Sequence, residues 1–221
     1  AGKSTTMNII CGVLNQTEGE VYLNGYNLRT NPVEAKRHIG FLPQKPPLYP
    51  DITVEEYLTY CAHLRLMPTH EIPAAVERAM KRCDITHFRD RIINNLSGGY
   101  QQRVGIAQAI VHKPEFVVLD EPTNGLDIPS KTTLRRLLAA YADEKRTILI
   151  STHQVREVEN LIDNIIILDE QGLALAATTE ELTRSLTFGS LSPAAKAIYC
   201  ESSLTGEEGI AVNTTDTESR L

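Results

Sequence analysis

Gly2-Lys3-Ser4-Thr5 has the residue types and order of the second half of a phosphate-binding loop, G-x-x-x-x-G-K-[ST]. In such a loop, backbone N–H groups and the positive end of the following helix face the phosphates. Lys3 would reach the β- and γ-phosphates, and the Ser4 hydroxyl would ligate magnesium. Taken alone, Gly-Lys-Ser is equally an ordinary helix start. Val117-Val118-Leu119-Asp120-Glu121 then delivers an acidic pair to the end of an apolar run, where ligands of parallel α/β sheets sit. Asp120 is placed to hold the metal through water, and Glu121 to polarise a water for attack on the γ-phosphate. A solvent-facing acidic strand end is the bland alternative, and the pairing with Gly2-Lys3-Ser4 argues against it. A third segment, Leu96-Ser97-Gly98-Gly99-Tyr100-Gln101-Gln102-Arg103, sets a serine hydroxyl and two glycine amides at a helix start. That is a second anion site or, on its own, a plain helix N-cap.

The elements that must position these residues follow from periodicity. Met7, Ile9, Ile10, Val13 and Leu14 are apolar at helical spacing. Glu20 to Leu23 is strand-like, and Asn24-Gly25 is a tight-turn dipeptide. Ile39 to Leu42 predicts a strand stopped by Pro43, followed by a proline-rich loop over Lys45 to Pro50. Helical patterns cover Val54 to Leu66 and Pro73 to Cys83, which predicts a helical insertion over 49–92. Ser97 opens a helix to about His112. Phe116 to Leu119 and Thr147 to Ile150 are apolar runs of the buried parallel-strand kind. Helices are expected over Pro129 to Ala140 and Val155 to Leu161, and a hairpin joins Ile165 to Leu168 with Leu173 to Leu175 across Gly172. Alternating strands and helices indicate an α/β fold with a mostly parallel sheet. The polar Ser/Thr/Glu-rich stretch 188–221 is expected to be a poorly ordered tail.

Leu-Ser-Gly-Gly, then Leu119-Asp120-Glu121-Pro122-Thr123, Gly125-Leu126-Asp127 and Ser151-Thr152-His153 resemble, in order and spacing, the cassette ATPase of ABC transporters. The resemblance runs over residues 1–187. It implies a P-loop NTPase fold, ATP and Mg2+ as ligands, and ATP hydrolysis coupled to transport. It places Gly2, Lys3, Ser4 and Thr5 in the Walker A end, with Asp120 as the Walker B aspartate and Glu121 as the catalytic glutamate. Gln44 matches the Q-loop glutamine, which senses the metal and the attacking water. His153 matches the switch histidine that contacts the γ-phosphate, and Asp127 matches the D-loop. Ser97, Gly98 and Gly99 match the signature, which caps ATP bound to the opposite subunit. The implied partners are a second cassette, forming a head-to-tail homodimer, and a separate transmembrane permease. The implied location is the cytoplasm, peripheral on the inner face of the cell membrane. Pro46 to Glu56 is similar to cassettes of bacterial exporters of the multidrug or gliding-motility type, which points to export. Two features depart from the family pattern. Tyr100 replaces the commoner glutamine at the fifth signature position, and the chain opens directly on the half-motif. Ala1 is not a methionine, so an N-terminal truncation is expected, with the first Walker A glycine and the adenine-stacking aromatic lying upstream.

Composition fits this reading. The chain has 221 residues, 42% hydrophobic and 23% charged, with a net charge of -6. That charge offers no overall basic field for nucleic acid, and no nucleic-acid partner is expected. The four cysteines, Cys11, Cys61, Cys83 and Cys200, have no C-x-x-C or metal spacing, which suggests free thiols in a reducing compartment. No apolar run approaches the about 18 residues a span requires. The alternative is a non-transport cassette acting on ribosomes or DNA. Translation-factor types carry two cassettes in one chain, whereas chromosome-maintenance types insert a long coiled coil between Gln44 and Ser97. Only a short stretch without sustained heptads lies there. A degenerate module without turnover is disfavoured because Glu121 and His153 are both present.

Overall fold

The computed structural model describes residues 2–142, 146–154, 158, 161–169, 172–190, 197–203 and 206–212. They fall into two compact units, 2–159 and 160–221. Of the expected helix over Val155 to Leu161, all but Val158 and Leu161 lie outside the described residues.

The first unit is built on a three-stranded parallel sheet of β3 (Ile39–Leu42), β4 (Phe116–Asp120) and β5 (Thr147–Ser151), with β4 in the middle. Its register pairs Leu42 with Leu119 and Asp120 with Ser151. Val117, Val118 and Leu119 are buried, as an unbroken apolar run in a central parallel strand demands. Helix α1 (Lys3–Ile10) sends Met7 into a core cluster with Cys11, Leu23, Leu28, Ala35, Ile39 and Val118. A two-stranded hairpin, β1 (Tyr22–Leu23) and β2 (Tyr26–Asn27), turns through Asn24 and Gly25, both at positive φ, as an Asn-Gly turn requires. Helix α2 (Pro32–Arg37) leads from it into β3.

Two helices, α3 (Val54–Leu64) and α4 (Ile72–Arg82), occupy the stretch expected to be a helical insertion. Thr53 and Glu56 form a capping box that starts α3. Ile72, Ala75, Val76, Ala79 and Met80 make the buried stripe of α4. The two ends of this stretch are tied together. Thr53 bridges Ile92, the Val54 N–H donates to the Arg91 carbonyl at 3.2 Å, and the Ile93 N–H donates to the Ile52 carbonyl at 3.0 Å.

Helix α5 (Gly98–Ile110) packs so closely on β3 that a Cβ at Gly40 would lie 2.0 Å from the Ala109 carbonyl oxygen. Carbonyls of β3 accept from side chains. Gln108 Nε2 donates to Phe41 O at 3.1 Å, Arg65 reaches Ile39 O at 3.2 Å, and His112 Nε2 lies 3.1 Å from the same oxygen. Helix α6 (Ile128–Tyr141) buries Leu134, Leu137, Leu138 and Tyr141. Cys11, Cys61 and Cys83 are buried free thiols, and burial pushes the Cys61 thiol up to about 11.

The second unit holds the expected hairpin, β6 (Asn164–Asp169) and β7 (Gly172–Thr178), then α7 (Thr179–Ser185). Past it, where a poorly ordered tail was expected, the described residues differ from that expectation. They form an antiparallel sheet of β8 (Leu186–Ser190), β10 (Gly206–Val212) and β9 (Ala197–Ser203), with β10 in the middle. Polar composition hides these strands because a ladder is made by backbone groups, which any non-proline residue supplies.

Candidate functional site

Parallel topology does most of the assembly. β3, β4 and β5 end at one edge, so Gln44, Glu121 and His153 follow the C-terminal ends of three adjacent strands. Asp120 is the last residue of β4 and only 3% exposed, and its register partner Ser151 is 4% exposed. The Ser151 hydroxyl donates to Asp120 Oδ1. The same hydroxyl accepts from the Glu121 N–H at 3.2 Å, and the Ser151 carbonyl accepts from that N–H at 3.1 Å. One serine thus holds both acidic residues.

Glu121 has φ 49°, the left-handed region that a side-chain-bearing residue enters at a cost. The turn leaves the Glu121 side chain 12% exposed, with Oε2 at 2.9 Å from His153 Nδ1. Beyond it, Asn124 N–H donates to the Glu121 carbonyl at 3.1 Å, and Gly125 at φ 72° bends the chain toward Asp127. Asp127 caps α6, with Oδ1 accepting from Ser130 N–H at 2.9 Å. Hydrogen bonds from Ser130 hold its carboxyl below the usual carboxylate range.

At the other end of the sequence, Gly2 is the N-cap of α1 with φ 87°, and a Cβ there would meet nothing within 4 Å. Lys3, Ser4 and Thr5 are exposed in the first turn, which carries no acidic residue. An open, cationic helix start of this kind suits an anion. Gln44 is exposed. Among the described residues no hydrogen bond joins Gln44, Lys3 or Ser4 to Asp120 or Glu121. The structure therefore brings Glu121 and His153 into contact next to Asp120, and leaves Gly2, Lys3, Ser4, Thr5 and Gln44 exposed.

The third segment behaves differently. Ser97 is the N-cap of α5 but its hydroxyl makes no cap bond, and both Ser97 and Gly98 are exposed. A Cβ at Gly98 would meet nothing within 4 Å, whereas one at Gly99 would lie 2.9 Å from Ser130 Oγ. Gly99 thus lets α5 lie against the start of α6. Tyr100 packs in an aromatic cluster, 4.5 Å from the Phe88 ring, with the Arg103 guanidinium 4.9 Å from its centroid. The departure from glutamine is absorbed by packing.

Sequence reasoning missed several residues. Ser151 was read only as part of a motif, and nothing in its type marks the bond to Asp120. Gln102, buried in α5, donates from Nε2 to the Pro122 carbonyl at 3.1 Å and ties the signature helix to the turn after Glu121. Gln154 and Lys131 extend the His153 contact. A polar residue buried mid-helix, as Gln102 is, was the one available signal.

The donor set fits magnesium. That ion takes one or two carboxylates and keeps several waters; the site offers one buried, oriented carboxylate, Asp120, rather than a cage. Among the described residues no group of three or more His, Cys, Asp or Glu is placed to hold a metal alone.

Residues 1–124 match the family model for ABC transporter. The chain is 33% identical over 186 residues to the ABC transporter ATP-binding protein NatA of Bacillus subtilis (strain 168), covering 84% of this chain and 76% of that protein. It is 35% identical over 171 residues to the bacitracin transport ATP-binding protein BcrA of Bacillus licheniformis, covering 77% of this chain and 55% of that one. Among solved structures, one described as the ATP binding subunit of an ABC transporter superposes with a TM-score of 0.74 at 27% identity, covering 83% of this chain and 76% of that chain.

Proposed function

This chain belongs to the ABC transporter ATP-binding family, and from that premise we propose that it hydrolyses MgATP as one half of a head-to-tail homodimer, driving export through a separate membrane subunit. The observation that carries the site assignment is the Glu121–His153 contact of 2.9 Å beside the buried Asp120.

Gly2, Lys3, Ser4 and Thr5 bind the phosphates, through helix-start amides and the Lys3 ammonium. A bound metal would supply charge neutralisation for the phosphates. Asp120, held by Ser151, and Ser4 would hold it, with Gln44, which follows the end of β3, as the third ligand. Glu121 accepts the proton of the attacking water, and His153 holds that carboxylate in place. Ser97 and Gly98 are exposed at the start of α5, with Gly99 half-buried behind them, which supports capping of a nucleotide on the second copy. Asp127 shapes the turn next to them.

No helix among the described residues is long and apolar enough to cross a membrane. The transport path is assigned to the membrane subunit proposed above. Tyr49, 51% exposed, stacks edge-on to Tyr60 at 5.5 Å, and Tyr60 is itself 42% exposed. These two rings support docking of a membrane-subunit helix beside the Gln44 loop. Leu48 and Ile52 are half-buried beneath the surface. Export is the direction suggested by the likeness of Pro46 to Glu56 to exporter cassettes, and BcrA, a relative of this chain, is named for bacitracin transport.

The test is Glu121→Gln in the natural protein. Hydrolysis of MgATP should fall at least about 100-fold, the usual scale for losing a general base, while ATP binding is kept and an ATP-bound dimer accumulates. Unchanged hydrolysis would remove Glu121 from the catalytic role.

A further inference from the structure

We propose that Gln154 and Lys131 are positioning residues that fix the ring proton of His153 on Nδ1, and so aim the Glu121 carboxylate. The inference rests on the reading of Glu121 and His153 given above.

Four side chains stand in a row. Lys131 Nζ donates to Gln154 Oε1 at 3.0 Å, Gln154 Nε2 lies 3.3 Å from His153 Nε2, and His153 Nδ1 lies 2.9 Å from Glu121 Oε2. An ammonium can only donate, so the amide oxygen must face Lys131 and the amide NH2 must face the imidazole. An NH2 group can only donate too, so His153 Nε2 must present its lone pair. The single proton of the neutral ring is then on Nδ1, where it is donated to Glu121. A flipped amide would set its NH2, a donor, against the ammonium, which is also a donor.

The ends of the row are anchored. Gln154 N–H donates to Thr152 Oγ1 at 2.9 Å, a local turn that holds the backbone after β5. Lys131 sits one turn into α6, and its own N–H donates to the Asp127 carbonyl at 3.0 Å. A movement of the Asp127 turn therefore carries Lys131 with it, and through the amide it reaches the imidazole. Neither Gln154 nor Lys131 touches the reacting atoms. Each acts through the next group in the row, as the outer partners of a catalytic histidine do.

The experiment combines ring-nitrogen NMR with steady-state kinetics. In the nucleotide-free natural protein, labelled at histidine nitrogens, neutral His153 should show a protonated Nδ1 and a bare Nε2. In Lys131→Met and Gln154→Leu that pattern should collapse to a mixture. Their kcat for MgATP should fall about 10-fold at unchanged KM, the scale of an outer-partner loss. Lys131→Arg keeps a donor and should restore both readouts. Neutral His153 protonated at Nε2 in the natural protein overturns the proposal without any variant. So do variants with unchanged NMR pattern and kcat, or a kcat loss that Lys131→Arg does not restore. Glu121→Gln separates the two readings: if it abolishes hydrolysis while the Lys131 and Gln154 variants change nothing, the positioning role alone fails.

Discussion

Asp120 and Ser151 face each other across two neighbouring parallel strands, and one hydroxyl serves both acidic residues at the strand end. The carboxylate that would meet the metal is therefore oriented by the adjacent strand before any ligand arrives.

Ser151→Ala should loosen that orientation. Removing one bond to a buried carboxylate costs about 1–3 kcal/mol of stability, readable as a lower denaturation midpoint. The Mg2+ concentration for half-maximal hydrolysis should rise about 10-fold. An unchanged magnesium requirement would mean that the Ser151 bond only stabilises the fold.

The sheet and the motif positions were legible because β3, β4 and β5 are short apolar runs bounded by turn residues, and motif order is a property of the chain itself. What stayed hidden is set through space. The positive φ of Glu121, the Ser151–Asp120 bond, and the reach of Gln102 to Pro122 depend on register and on helix-to-strand spacing. Polar segments mislead in the opposite direction: the residues after Leu186 lack an apolar pattern, yet their backbones pair in three strands.

Histidine 112 predicts a pH dependence of stability. Burial, with the nearby Arg65 charge, pushes its pKa down to about 3 from the usual 6.5. Its Nε2–H bonds to the Ile39 carbonyl, while Nδ1 is buried with no hydrogen-bond partner among the described residues. The unfolded chain therefore binds a proton that the folded chain refuses. Stability from this group is present above pH 6.5 and is lost as pH falls toward 3. Between pH 6.5 and 5 the loss amounts to about 2 kcal/mol. His112→Gln should flatten that part of the stability–pH curve, and a parallel curve would show that His112 protonates freely.

Gly40 marks the closest approach of α5 to β3. A methyl group there would press on the Ala109 carbonyl, which is backbone and cannot rotate away. Gly40→Ala should cost about 3 kcal/mol, at the upper end for overpacking, measured by denaturant midpoint. A loss within about 0.5 kcal/mol, typical of surface sites, would mean that the helix shifts easily.

Tyr49→Glu should separate turnover from assembly. Tyr49 is at the surface, so hydrolysis by the chain should change by no more than about twofold, while co-purification with the membrane subunit is lost. If hydrolysis collapses, the Tyr49, Tyr57 and Tyr60 cluster belongs to the core.

The helical stretch between Thr53 and Ile92 enters and leaves the sheet unit through one stitched seam, closed by the bridge and the backbone bonds around it. A segment whose two ends already meet can lengthen or shorten at little entropic expense, because the ends need not find each other anew. The sheet edge that carries Asp120 and Glu121 and the helices α3 and α4 can therefore diverge at different rates over evolutionary time. The seam is the natural point at which to graft another chain's helical segment, giving one engine a different passenger.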